Sequence, residues 1–454
     1  MFSKSLNLIN YENTKETNHR NHISSIFSKK QTVINKNTSK VWPPFTQMKT
    51  AKAPLNIVKA KDTTLFADDG KEYIDVNSSW WVNVHGHGHP YLAKAIQDQF
   101  EKVDHVLLAS VTHPKAEELA ERIIGILPDH FQKVFFSDDG STAVEVALKM
   151  VFQFWFNQGK PKRRIVALDG AYHGDTFGAM SIGQRGYFNE PFEHLFFDVD
   201  FLDFPSQEKE DEILLSAKSL FETNEIAGMI VEPLVQGSAG MRMYSVAFLD
   251  QLVALAKENQ VLVIFDEIMT GWYRTGKLFA MNHGKSKPDI VCLSKGLTGG
   301  VLPLGLTVAT NEIYDAFLDE SKTKALLHGH SYTGNPLACA AACASLDLFA
   351  KPETLLNVNR IVENHDLFLN RIKDNKALLE VRMTGTIIAL ELKTDAESSY
   401  FSSIRDIAYE YFLDNGILLR PLGNVLFLNP PYCITDEELD YCYNKLEAFM
   451  DSLS

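Results

Sequence analysis

From Val41 to about residue 350 the hydrophobic positions switch repeatedly between helical spacing and short continuous runs, which predicts βαβ units around a mostly parallel sheet. The run Val261-Leu262-Val263-Ile264-Phe265 is apolar at every position, as a strand covered on both faces requires. It follows a helical stripe of Leu249, Leu252, Val253 and Ala256. Further strands are expected at 133–137, 164–168, 228–232, 289–293 and 304–309. Beyond residue 350, helical patterns mix with strands at 386–391 and 425–428, the signature of a separate and smaller α+β domain. Residues 1–40 are rich in Asn, Ser, Thr and Lys and lack apolar periodicity, so a mobile polar tail is expected there. The expected order is a tail at 1–40, a small-domain segment at 41–78, a large domain at 79–350 and the C-terminal small domain at 351–454.

Composition narrows the class. The chain of 454 residues is 45% hydrophobic and 22% charged, ordinary for a globular protein. Its net charge of −14 repels phosphate backbones and anionic membranes, so neither nucleic acid nor a membrane is an expected partner. No apolar stretch reaches the roughly 18 residues of a membrane span, and no secretory h-region is present. The five cysteines are odd in number and lack CxxC spacing, against a disulfide framework or a zinc site. A cytosolic protein is expected.

Ligands of parallel sheets bind beyond the carboxyl ends of the strands, so the polar residues that follow each run are the candidates for chemistry. Ser137-Asp138-Asp139-Gly140-Ser141-Thr142 separates the strand ending at Phe136 from a helix with the stripe Val144, Ala147, Leu148, Val151, Phe154 and Trp155. Thr142 and Glu145 have capping-box spacing, and the free amides of a helix start at Gly140 and Ser141 suit a single phosphate. An ordinary capped loop uses the same residues. Asp266-Glu267 closes the all-apolar strand and calls for a cationic partner: a metal, an arginine or a protonated heterocyclic nitrogen. Lys295 follows Ile290-Val291-Cys292-Leu293, where partial desolvation makes its amine nucleophilic unless the side chain snorkels to water. A phosphate cradle, a buried acid and a nucleophilic lysine, each at a strand end, together describe a pyridoxal phosphate site.

Asp266-Glu267-Ile268, Gly271, Arg274-Thr275-Gly276, Ser294-Lys295-Gly296 and Gly334-Asn335-Pro336-Leu337-Ala338 resemble the class III aminotransferases of the fold-type I pyridoxal phosphate enzymes. The resemblance runs from about Val41 to the C-terminus. It implies an α/β fold with a large, mostly parallel-sheet domain and a smaller α+β domain drawn from the N- and C-terminal segments. Other stretches are similar to the branch that aminates 8-amino-7-oxononanoate to 7,8-diaminononanoate in biotin synthesis. They are Pro44-Phe45-Thr46-Gln47-Met48, Ser78-Ser79-Trp80-Trp81, His85-Gly86, Tyr172-His173-Gly174-Asp175-Thr176-Phe177-Gly178-Ala179-Met180, Val235-Gln236-Gly237, Gly240-Met241-Arg242-Met243-Tyr244, and Arg420-Pro421 with Pro430-Pro431-Tyr432.

Carried over by position, the resemblance implies that Lys295 forms the Schiff base and shuttles the proton, while Asp266 pairs with the ring nitrogen. Gly140 and Ser141 would bind the phosphate, and Tyr172 would lie against cofactor and substrate. Phe45 and Trp80 would line the substrate pocket and Arg420 would grip the substrate carboxylate. Gly329, His330 and Ser331 would reach the cofactor and substrate of a neighbouring subunit, which makes the enzyme a homodimer with shared sites. S-adenosylmethionine is the favoured amino donor because Trp80-Trp81 and the Gly240–Tyr244 stretch are retained. Phe45, Phe427 and His330-Ser331-Tyr332 depart from that form, and Phe45 and His330-Ser331-Tyr332 look similar to relatives that use lysine. Alternative readings are an ω-amino acid transaminase, a pyridoxal phosphate mutase or lyase, and a cofactor-free scaffold. His85, His87 and His89, with His328 and His330, admit a metal cluster, but the interleaved glycines and Pro90 favour an irregular loop and no metal is expected.

Overall fold

Strands form where the apolar runs stand, and their shared burial stacks them into one central sheet. The computed structural model describes residues 39–394 and 403–453, so the expected tail at 1–40 lies outside the described residues save its last two positions. The chain divides into two units, residues 1–58 and 59–454. In the first, the carbonyl of Gln47 accepts from the amides of Thr50 and Ala51, and Phe45 has a left-handed backbone, φ 51°.

In the second unit the central sheet contains β1 (Phe131–Ser137), β2 (Arg164–Leu168), β3 (Val199–Leu202), β4 (Ile226–Val231), β5 (Leu262–Asp266), β6 (Ile290–Leu293) and β7 (Gly305–Thr310). Its spatial order is β1-β7-β6-β5-β4-β2-β3. β5 pairs in parallel with β6 and β4, with Ile264 opposite Ile290 and Ile230. β2 pairs in parallel with β4 and β3. β7 runs antiparallel to both of its neighbours, an orientation that apolar runs do not encode. The short, half-buried β3 at the sheet edge has no continuous apolar run and escapes a reading based on one.

Helix α1 (Gly140–Asn157) buries Val144, Ala147, Leu148, Val151, Phe154 and Trp155, and α2 (Val246–Glu258) buries Leu249, Leu252, Val253 and Ala256, the two stripes read from the sequence. Each of the Val, Leu and Phe side chains contributes about 1.5–3 kcal/mol on burial, which fixes both helices against the sheet. The start of α1 corrects one expectation. Its N-cap is Asp139, whose side chain accepts from the Thr142 amide while the Thr142 hydroxyl answers the Asp139 amide. The capping box therefore sits one turn before Thr142–Glu145, and Glu145 is released for another duty.

Toward the C-terminus, Leu378–Thr384, Ile387–Leu392 and Val425–Leu428 form an antiparallel sheet; the helix Pro352–Ile372 packs on Leu378–Thr384, Ser403–Asp414 packs on Ile417–Leu418, and Asp436–Asp451 packs against both helices. Ile417–Leu418 pairs in parallel with Ile74–Asp75, so a late segment of the chain completes an early sheet. Among the described residues no helix is long and apolar enough to cross a membrane.

Candidate active site

Beyond the carboxyl end of β6, Ser294 anchors the turn: its hydroxyl donates to the Leu304 carbonyl at 2.7 Å, and its own carbonyl accepts from Trp272 Nε1 at 3.1 Å. The next residue, Lys295, takes a left-handed backbone, φ 47°, a conformation that costs of order 1 kcal/mol in a non-glycine residue and persists where the surroundings over-determine it. Its Nζ lies 5.3 Å from the centroid of the Trp81 ring. Burial lowers the pKa of this amine, against the opposing negative charges of Asp266 and Glu232.

Asp266 ends β5 with both oxygens engaged. Oδ2 lies 2.7 Å from Nδ1 of the buried His173, and Oδ1 accepts the Ile268 amide at 3.1 Å. Its neighbour Glu267 is buried and pairs with no cation among the described residues: it accepts the Thr270 hydroxyl at 2.6 Å and the amides of Ala280 and Met281 at 2.9 and 2.8 Å. Burial pushes Glu267 up to about 7 even so. A third carboxylate, Glu232, follows β4 and accepts the amides of Tyr172 and Gly237 at 3.1 and 3.0 Å. Burial, with the charge of Asp266 added to it, raises Glu232 to about 7 against the lowering effect of His173. The sequence marks His173 only as part of the Tyr172–Met180 stretch, with no role, and does not mark Glu232. Glu232 sits at the end of an expected strand, and inspecting the strand ends more widely finds it.

At the start of α1, Asp139 caps the Thr142 amide, and the amides of Gly140 and Ser141 have no acceptor among the described residues. Gly140 packs against Ile268, so closely that a Cβ would lie 2.9 Å from that side chain. The Ser141 hydroxyl lies 2.8 Å from that of Thr176.

The expected substrate residues fall into four groups. Arg420 and Trp80 meet: the guanidinium carbon lies 5.0 Å from the centroid of the exposed Trp80 ring. Asn77 joins this pair to Phe427, accepting from the Arg420 amide at 2.8 Å and donating to the Phe427 carbonyl at 2.9 Å. The Phe427 ring is buried edge-on against Trp81, where a hydroxyl would lack water. Tyr172 is partly exposed and donates to Asp175 at 3.1 Å. Gly329, His330 and Ser331 lie on a different, outward loop, with His330 Nδ1 3.4 Å from Asp138. Phe45 belongs to the first unit and is described only within it. The histidines of the glycine-rich turn serve separate ends: His85 meets Ser345 at 2.9 Å, His87 meets Asp75 at 2.8 Å, and His89 caps the helix that begins at Pro90.

Residues 46–450 match the family model for aminotransferase class III. The chain is a class III aminotransferase. As such it depends on pyridoxal phosphate, and its residues fit that group: a half-buried lysine beside two carboxylates, an aspartate fixed at a strand end, and helix-start amides at Gly140 and Ser141. This class III aminotransferase is 46% identical over 421 residues to the adenosylmethionine-8-amino-7-oxononanoate aminotransferase of Synechococcus elongatus, covering 91% of this chain and 99% of that protein. It is 38% identical to the enzyme of the same name from Geobacter sulfurreducens, over 91% of this chain and 96% of that one. The crystal structure of the Methanocaldococcus jannaschii enzyme of that name superposes with a TM-score of 0.86 at 36% identity, covering 92% of this chain and 97% of that chain. The fold is thereby fold-type I, as expected.

Proposed function

We propose that this aminotransferase transfers an amino group to 8-amino-7-oxononanoate, giving 7,8-diaminononanoate in biotin synthesis, with S-adenosylmethionine as donor. The observation that carries the substrate is the Arg420–Trp80 pair. It joins a planar cation, suited to a terminal carboxylate, to an apolar wall, suited to a long alkyl chain. Relatives that carry the name of this reaction match nearly the whole chain. The aromatic surfaces of Trp80 and Trp81 suit an adenine ring and a sulfonium cation, which favours S-adenosylmethionine over lysine.

Pyridoxal phosphate, when bound, supplies a carbonyl that accepts an amino group and a ring that withdraws electrons. The chain's own residues do the rest. Lys295 Nζ, partly desolvated, would hold the cofactor through its amine and would accept and return the proton as general base and acid. Asp266, held by His173 and the Ile268 amide, would supply the negative charge that pairs with a protonated ring nitrogen. Gly140 and Ser141 orient the phosphate, Tyr172 and Trp80 exclude water from one side, and Arg420 fixes the oxo acid.

The enzyme acts as a cytoplasmic homodimer in this reading, with Gly329, His330 and Ser331 serving the site of the partner. Support comes from the segments 105–111 and 327–334, which touch through His105 and Tyr332, 5.3 Å between rings, and expose Leu107, Leu327 and Tyr332. The division into a large domain at 79–350 and a small one from 41–78 and 351–454 is supported by the pairing of Ile417–Leu418 with Ile74–Asp75.

The test is incubation with purified 8-amino-7-oxononanoate and each donor, with mass spectrometry of the product. Amination of an ω-keto acid but not of 8-amino-7-oxononanoate overturns the substrate. Conversion of the bound cofactor to its aminated form by lysine and not by S-adenosylmethionine overturns the donor alone.

A further inference from the structure

Glu145, freed from helix capping, reaches from the second turn of α1 into the loop after β2. Its Oε1 accepts the Thr176 hydroxyl and the amides of Gly178 and Ala179, the last two at 2.7 and 3.0 Å. Thr176 in turn meets Ser141: its amide donates to Ser141 Oγ at 3.1 Å, and the two hydroxyl oxygens lie 2.8 Å apart. The approach is tight enough to require glycine. A Cβ on Gly174, whose φ is +128°, would fall 2.2 Å from Ser141 Oγ, and one on Gly178 would fall 2.2 Å from Glu145 Oε2.

The direction of these bonds has a chemical consequence. Each hydroxyl has one proton. The Thr176 proton is committed to the Glu145 carboxylate, so Thr176 cannot donate to Ser141, and the Thr176 amide occupies a lone pair of Ser141 Oγ. Ser141 is therefore the donor in its 2.8 Å contact with Thr176 Oγ1, and the two bonds from Thr176 fix where Ser141 Oγ stands beside the free amides at the start of α1, within reach of an anionic oxygen bound there.

We infer that Glu145 and Thr176 are positioning residues for the cofactor phosphate, acting through the Ser141 hydroxyl. The inference rests on the reading that Gly140 and Ser141 hold that phosphate. The geometry assigns the anchor to Oε1 alone, so a glutamine, which keeps that oxygen, can replace Glu145, whereas a leucine cannot.

The experiment titrates the apo-enzyme with pyridoxal phosphate and, separately, with pyridoxal, following the visible absorbance of the bound cofactor, and records the apo unfolding temperature alongside. Thr176→Val and Glu145→Leu should weaken pyridoxal phosphate binding by roughly 5- to 30-fold. Thr176→Ser and Glu145→Gln should remain within about twofold of the parent. Pyridoxal, which has no phosphate, should bind all of them as it binds the parent. Ser141→Ala combined with Thr176→Val should bind no more weakly than Ser141→Ala by itself. Unchanged affinity in Thr176→Val, equal losses for pyridoxal and pyridoxal phosphate, or additivity with Ser141→Ala overturns the inference. If Ser141→Ala itself binds pyridoxal phosphate normally, the phosphate reading falls as well; if Ser141→Ala is weak and Thr176→Val is normal, the inference alone falls.

Discussion

The imidazole Nδ1 of His173 stands 2.7 Å from Oδ2 of Asp266. With the Ile268 amide on Oδ1, this contact leaves the carboxylate with no rotational freedom, which is the condition for holding a ring nitrogen in a fixed place. The two residues lie far apart in sequence and meet because β2 and β5 end on the same edge of the sheet.

Removing the imidazole frees one oxygen of Asp266. His173→Ala should lower kcat by roughly 10- to 100-fold, the range of one or two lost charge-assisted hydrogen bonds. His173→Gln, which keeps a donor, should recover part of the loss. Steady-state kinetics check this, and an unimpaired His173→Ala would show that Asp266 needs no partner.

Lys295→Ala should abolish turnover, and borohydride reduction followed by peptide mapping should attach the cofactor to Lys295 alone. Because burial lowers its pKa, more of its amine is neutral at a given pH than in an exposed lysine. In the apo-enzyme Lys295 should accordingly react with an acylating reagent at neutral pH before the surface lysines do; slower labelling would contradict the lowered pKa.

Glu232 gives the protein a pH-dependent stability. Its folded pKa, about 7, lies above the ordinary value of 4.5, so its contribution is fully present below 4.5 and is lost as pH rises through about 7. Glu232→Gln cannot ionise. Relative to the parent, the apo variant should gain stability between pH 5 and pH 8, by on the order of 1–3 kcal/mol. Chemical denaturation across that range reads the difference, and parallel curves would refute it.

Arg420→Ala should raise KM for the oxo acid by roughly 10- to 100-fold with a smaller change in kcat, since in the proposed function the guanidinium binds a carboxylate remote from the reacting carbon. Arg420→Lys should not restore it, because an ammonium provides neither the fork nor the flat face that stacks on Trp80. An unchanged KM would remove Arg420 from the site.

The sequence by itself determined the strands and helices whose burial is two-sided or strongly periodic. β2 and the strand Val425–Leu428 stand where their runs do, because a segment covered on both faces must be apolar throughout. It also marked Lys295, Asp266 and Gly140-Ser141 as the candidates for chemistry, because their residue types are unusual at strand ends. Tertiary structure decided what depends on partners distant in sequence. β7 is antiparallel because of where its connections lead, and the Thr142 side chain answers Asp139 and not Glu145. Glu267 tolerates burial because backbone amides from the 280–281 turn reach it, while Asp266, one residue earlier, turns to His173 instead. Adjacent carboxylates on a strand point to opposite faces, so their environments are set by whatever the fold packs on each side, and no local pattern records that.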